Sequence, residues 1–146
     1  MLGGLARWLR AAGYDSLFAE GGWSDRELVE LCAREDRVLV TKDRQLALSA
    51  CDTIPVLLLG SRGMDGNARE LREVLGVDWQ HAPFTRCIVD NALLTAADPH
   101  DSERVPLSFR GLASPLRKCR TCGRIYWPGG HVRACSGASY CGRAAT

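Results

Sequence analysis

The stretch Arg37-Val38-Leu39-Val40-Thr41-Lys42-Asp43-Arg44-Gln45-Leu46 decides how this chain is read. Val38 to Thr41 is a β-branched, apolar run with no polar alternation, the pattern of a strand covered on both faces. The period then changes. From Asp43 to Cys51 the apolar residues Leu46 and Ala50 fall one helical turn apart, so a helix follows. A second buried strand runs from Ile54 to Leu59, closed by Gly60, and a further helix over 65–75 carries Leu71, Val74 and Leu75 as its apolar stripe. On the other side, Ser24 and Glu27 form a capping box that opens a helix with Leu28, Leu31 and Cys32 inward. Leu5, Trp8, Leu9 and Ala12 recur at helical spacing, with Arg7 and Arg10 on another face and Gly13 as the stop. Asp15 to Ala19 reads as a short strand. Helices alternating with short, wholly apolar strands mean βαβ units, a parallel sheet and right-handed crossovers, so the fold class is α/β.

The length, 146 residues, suits one ordinary domain with a small appendage. Hydrophobic residues at 46% and charged residues at 25% are average for a globular chain and speak against extended disorder. The apolar run Pro55–Leu59 is far too short to cross a bilayer. No basic-then-apolar leader opens the chain, so no membrane association and a cytoplasmic location are expected. After Pro83 the helical periods give way to Pro, Gly, Cys and Arg. The expected organisation is therefore an α/β domain over 1–82, a cysteine-bearing segment over 83–131 and an irregular tail over 132–146. Charge divides at the same place: residues 1–83 carry net −3 and residues 84–146 net +5. An acidic front half suits cations and a basic rear half suits polyanions, although small domains also vary by a few charges without functional cause.

In open parallel sheets ligands collect at the carboxyl ends of the strands. Asp43 follows the strand ending at Thr41, and Asp25 follows the strand expected near Ser16–Phe18, so both belong to one sheet edge. Carboxylates converging there suit a hard divalent cation, Mg²⁺ or Mn²⁺, which activates water and steadies a phosphodiester. Lys42 and Arg44 flank Asp43 and are placed to meet a phosphate, as are Arg7 and Arg10. A second reading stands beside this one: aspartate is favoured at helix starts, where it caps free amides and meets the helix dipole.

Seven cysteines in a chain without an export signal point to metal binding or burial rather than to disulfides. Cys119-Arg-Thr-Cys122-Gly123 is a zinc-knuckle pattern, in which the two-residue spacing lets both thiolates reach one ion. Cys87-Ile-Val-Asp90 repeats the spacing with Asp90 in place of a second cysteine, and 28 residues separate the two halves, as in a zinc ribbon. A Cys₃Asp site for Zn²⁺ is expected to be weaker than Cys₄, and His131, Cys135 and Cys141 are alternative fourth ligands. Arg110, Arg117, Lys118, Arg120 and Arg124, followed by Tyr126 and Trp127, make either a nucleic-acid surface or, for the two rings, a small ribbon core.

Met1-Leu-Gly-Gly-Leu-Ala-Arg-Trp-Leu-Arg10, Gly13-Tyr-Asp15, Ser24-Asp25-x-Glu27-Leu28 and Val38-Leu-Val-Thr-Lys-Asp-Arg44 resemble the Mut-seven C-terminal RNase domain family. Pro83-Phe-Thr-Arg-Cys87 and Cys119-Arg-x-Cys-Gly-Arg-x-Tyr-Trp127 resemble that family's zinc ribbon. The resemblance implies a PIN-like parallel sheet flanked by helices, a ribbon-like segment after it, an acidic metal site at one sheet edge and action on RNA. By position it makes Asp43 and Asp25 the acidic site residues, and Cys87, Cys119 and Cys122 the ribbon ligands. Relatives carry a strand ending in Asp shortly before the Met-Leu-Gly stretch, and this chain begins at that stretch. Asp90 stands where the ribbon has a cysteine, and the chain from Val132 onward does not follow the family's helical close. Two functional expectations result: a metal-dependent ribonuclease impaired by the missing first strand, or a non-catalytic RNA-binding or protein-interaction module of the same fold.

Overall fold

A computed structural model describes residues 2–106 and 116–127. Arg110, His131, Cys135, Cys141 and the tail over 132–146 lie outside the described residues, so the expectations placed on them have no structural counterpart. The chain forms two compact units, one of Met1–Leu5 with Phe18–Gly76, the other of Ala6–Leu17 with Val77–Thr146. The first helix, α1 (Leu2–Ala11), gives its opening turn to the first unit and its remainder to the second.

The first unit holds α2 (Asp25–Glu35), β1 (Leu39–Thr41), α3 (Arg44–Ala50), β2 (Val56–Leu58) and α4 (Gly63–Leu75). The capping box at Ser24 forms as its sequence requires: the Glu27 amide donates to Ser24 Oγ, and the Ser24 amide donates to Glu27 Oε2 at 2.8 Å. At the other end of α2, Asp36 turns into the left-handed region at φ 52°, and its amide donates to the Cys32 carbonyl. β1 and β2 pair in parallel, with Leu39 opposite Val56 and Thr41 opposite Leu58. With α3 between them they make the expected βαβ unit. Cys32, Leu39, Leu46, Ala50 and Ile54 form its core, with Leu28, Val29 and Val56 packed around it. Burying each large side chain there stabilises the unit by about 1.5–3 kcal/mol.

Two expectations are corrected. Residues 15–19 form no strand, so the parallel sheet has two strands among the described residues. The physical reason is visible at Ser16, whose amide donates to Asn91 Oδ1 and whose carbonyl accepts from Arg10 Nε. Side chains have taken the backbone groups a ladder would need. On α4 the buried face is Asn67, Ala68 and Leu71, while Val74 is 61% exposed and Leu75 is also exposed, so the inward stripe begins one turn earlier than the apolar residues suggest.

In the second unit, β3 (Thr95–Ala96), β4 (Arg117–Lys118) and β5 (Ile125–Tyr126) form an antiparallel sheet in the order β3-β4-β5. Cys87, Leu94 and Cys119 are its buried centre, with Ala92 and Tyr126 against them. The later part of α1 is held here. Gly13 takes φ 95°, and a Cβ at that position would lie 2.2 Å from the Ala82 carbonyl oxygen, so the turn requires glycine. The Ala82 amide donates to the Ala12 carbonyl, the Asp78 amide donates to Tyr14 Oη, and Tyr14 stacks on His81 with centroids 4.8 Å apart. Among the described residues no helix is long and apolar enough to cross a membrane.

Candidate functional site

Cys87, Asp90, Cys119 and Cys122 converge, with their ligand atoms all within 4.8 Å of one another. The two halves arrive by different routes. Cys87 and Asp90 belong to a tight turn in which the Asn91 amide donates to the Cys87 carbonyl and Asn91 takes φ 63°. Cys119 and Cys122 belong to the β4–β5 turn, where the Gly123 amide donates to the Cys119 carbonyl and Gly123 takes φ 70°. The geometry fits a tetrahedral ion. Thiolate bonds of about 2.3 Å and an oxygen bond of about 2.0–2.2 Å put sulfurs about 3.8 Å apart and oxygen about 3.5 Å from sulfur. Here Cys87 Sγ lies 3.7 Å from Cys122 Sγ, and Asp90 Oδ2 lies 3.5 Å from Cys87 Sγ and 3.4 Å from Cys119 Sγ. Four protein donors around one ion would leave no open position, the arrangement of closed, structural sites.

Asp90, Cys122 and Cys87 perturb one another at this distance. The hydrogen bond from Cys122 is the main reason the Asp90 carboxyl sits below its usual range, with the Cys119 and Cys87 thiols adding to it against an opposing effect of burial. Conversely, the Asp90 carboxylate, helped by burial, pushes the Cys122 thiol up to about 12. Burial raises Cys87, but the Tyr126 hydroxyl and the amides of Asp90 and Val89 outweigh it, and that thiol ends below its ordinary value. Tyr126 Oη sits 3.0 Å from Cys87 Sγ, and burial followed by that contact raises the phenol. A thiol raised as Cys122 is keeps its proton until a cation displaces it.

Arg10 was expected beside a phosphate on a solvated helix face. It is only 8% exposed, and its guanidinium donates to three carbonyls: Nε to Ser16 at 2.8 Å, Nη1 to Ile88 at 3.2 Å and Nη1 to Val89 at 2.6 Å. Arg7, by contrast, is exposed. Helical periodicity placed Arg10 off the apolar stripe of α1. It had no means of showing that a turn almost eighty residues later covers that face.

The carboxyl edge of β1 and β2 carries the Thr41-Lys42-Asp43 triplet, and each residue has a structural task. Thr41 Oγ1 accepts from the Asp43 amide at 3.0 Å. Lys42 Nζ donates to the Ser61 carbonyl at 2.8 Å, tying the exits of the two strands together. Asp43 is the N-cap of α3: its Oδ1 accepts from the amides of Gln45 and Leu46 at 2.8 and 3.1 Å. Its Oδ2 accepts no hydrogen bond from a described residue, and the side chain is exposed, as is that of Arg44. Asp25 is the first residue of α2 and exposed, but the strand that was to bring it to this edge does not form. Among the described residues, no cluster of three or more potential ligands includes Asp43 or Asp25. One acidic residue at the edge escaped the sequence reading. Glu70 on α4 accepts from the amides of Gly60 and Ser61, both at 3.1 Å, and these bonds, the Gly60 amide first, lower its carboxyl below the usual range. Nothing in its sequence surroundings marks it, because its partners are backbone amides nine and ten positions away.

The sequence profile of the Mut7-C RNAse domain matches residues 1–138, nearly the whole chain, and the protein belongs to that family. The α/β arrangement with its parallel β1–β2 pair and the Cys/Asp cluster agree with this membership. No curated protein and no solved structure matches the chain.

Proposed function

We propose that this protein is a metal-dependent ribonuclease acting in the cytoplasm, in which Asp43 and Asp25 hold Mg²⁺ or Mn²⁺ and Cys87, Asp90, Cys119 and Cys122 hold a structural Zn²⁺. The observation that carries the nuclease reading is Asp43. Its carboxylate stands at the carboxyl edge of the parallel pair with one oxygen uncommitted among the described residues, in a chain of an RNase-domain family. Mg²⁺ is commonly held by one or two carboxylates together with substrate phosphates and water, so two acidic side chains are a sufficient protein contribution. Such an ion, when bound, lowers the pKa of water and neutralises charge on the phosphodiester. The chain's own residues orient and attract. α3 fixes Asp43 through the Gln45 and Leu46 amides, and exposed Arg44 and Arg7 offer cations to the RNA backbone. Arg120 and Arg124 extend that basic character in the second unit, whereas Lys118 is engaged by Asp98 and Asp101.

A non-catalytic RNA-binding module is the second reading, and one observation favours it: no described cluster of three acidic ligands forms around Asp43. Cleavage of a labelled single-stranded RNA with Mn²⁺, with EDTA and with Asp43→Asn decides between them. The ribonuclease reading expects cutting that Mn²⁺ supports and that EDTA and the variant abolish. RNA retained without cutting under all conditions replaces it with the second reading, and cutting that survives EDTA or Asp43→Asn refutes the metal mechanism.

A further inference from the structure

We propose that Arg10 is a positioning residue of the Cys/Asp metal centre: it holds the turn that presents Cys87 and Asp90, so that metal binding and the seating of residues 10–17 are one linked equilibrium. The inference rests on the reading of that cluster as a metal site.

Asp90 is the weak member of the donor set. A single exposed carboxylate stands where the other ligands are thiolates, and it needs its backbone held still to keep Oδ2 within reach of the three sulfurs. The turn between Cys87 and Asp90 is held from two sides. Inside, Tyr126 Oη contacts Cys87 Sγ and accepts from the Ile88 amide at 3.3 Å. Outside, Arg10 Nη1 bridges the carbonyls of Ile88 and Val89, the two residues between the ligands. The third carbonyl on Arg10, that of Ser16, closes a small loop, because the Ser16 amide donates to Asn91 Oδ1 next to Asp90. Asn91 Nδ2 donates to Asp15 Oδ1 at 2.7 Å, and Arg86 pairs with Asp15 at 3.5 Å. Both sides of the turn, Arg86 and Asn91, are thus pinned to the segment that Arg10 also grips.

A buried guanidinium with two of its three carbonyl partners on this turn is costly to leave unpaired, so the turn has to be formed for Arg10 to be satisfied. The loaded centre, three thiolates and a carboxylate around Zn²⁺, would carry two net negative charges, and the fixed positive charge of Arg10 offsets part of that. Partners of this kind outside the ligand shell orient the ligands, and their loss typically lowers metal affinity roughly 10- to 100-fold.

The full-length protein, stripped of metal and reloaded, is titrated with Zn²⁺ against a chromogenic chelator at fixed pH, as wild type, Arg10→Ala, Arg10→Lys and Arg7→Ala. Arg10→Ala is expected to bind roughly 10- to 100-fold more weakly, Arg10→Lys to recover part of the loss, and Arg7→Ala to match wild type. Co²⁺ substitution reports the ligands directly: the wild-type spectrum should be that of a tetrahedral thiolate site, and that of Arg10→Ala should be altered at saturating metal. A second measurement needs no variant. Hydrogen exchange of the wild type with and without Zn²⁺ should show slower exchange at residues 10–17, the Ser16 amide above all. If the wild type binds Zn²⁺ tightly while Arg10→Ala has the same affinity and cobalt spectrum, or if exchange at 10–17 ignores Zn²⁺, the role of Arg10 is overturned and the metal site stands. If the wild type itself fails to bind, the metal-site reading falls first.

Discussion

Asp43 caps α3 and, in the proposed function, holds a metal ion, and one pair of substitutions separates the two roles. As the N-cap of α3 it accepts two backbone amides on Oδ1, at 2.8 and 3.1 Å, while Oδ2 accepts nothing from the described residues. Asparagine caps about as well as aspartate, because its carbonyl oxygen accepts the same amides. Asp43→Asn therefore keeps the cap and loses only the charge facing the helix dipole, a cost of about 0.3–1 kcal/mol. Asp43→Ala loses the cap as well, for a total of about 1–2 kcal/mol. In a chain of this size that lowers the melting temperature by roughly 3–8 °C, with Asn between Ala and wild type. Cleavage of RNA in Mn²⁺ should follow a different order. A neutral amide does not hold a hard cation as a carboxylate does, so Asn and Ala should both lose activity, by several tenfold steps at about 1.4 kcal/mol of barrier each. The two assays, thermal melts and RNA cleavage, are read on the same preparations. Activity that tracks the melting temperature, with Asn close to wild type in both, would show that Asp43 matters only as a cap and would refute its place in a metal site.

Replacing Asp90 by Cys should tighten Zn²⁺ binding, since a fourth thiolate supplants an exposed carboxylate, and Cys122→Ser should weaken it; chelator competition reads both, and an Asp90→Cys protein that binds more weakly would contradict the Cys₃Asp geometry. Glu70 is held below its usual pKa by the amides of Gly60 and Ser61, so its folded value lies below its unfolded one. Its contribution to stability is present above the unfolded carboxylate range and is lost as the pH falls through the folded value. Urea melts between pH 3 and 6 should show a steeper acid loss for wild type than for Glu70→Gln, and parallel curves would refute it. Leu71, almost wholly buried on α4, should cost about 2–5 kcal/mol when cut to Ala, measured by the same melts.

The local elements were legible in the sequence because their causes are local. The Ser24/Glu27 box, the wholly apolar strands at Leu39–Thr41 and Val56–Leu58, and the stop at Gly13 are each decided by residues within about one turn of each other. The convergence of Cys87, Cys119 and Cys122 was legible for a similar reason, since the knuckle spacing holds whatever lies between the two halves; that Asp90 is the fourth member, where the sequence also offered His131, Cys135 and Cys141, is seen only in the cluster itself. What composition and spacing determine is therefore which groups are capable of acting. Tertiary structure alone decided how some of them are spent. Residues 15–19 have the composition of a strand, but Asn91 and Arg10 claim the backbone groups of Ser16. Arg10 looks like a solvated cation at helical spacing until a turn at Ile88 and Val89 closes over it. Glu70 and Lys42 likewise find their partners only when β2 and α4 fold back. A hydrogen bond between a side chain and a backbone group carries no signature at its backbone end, so a contact of that kind across many residues is set by packing and is invisible in the order of the amino acids.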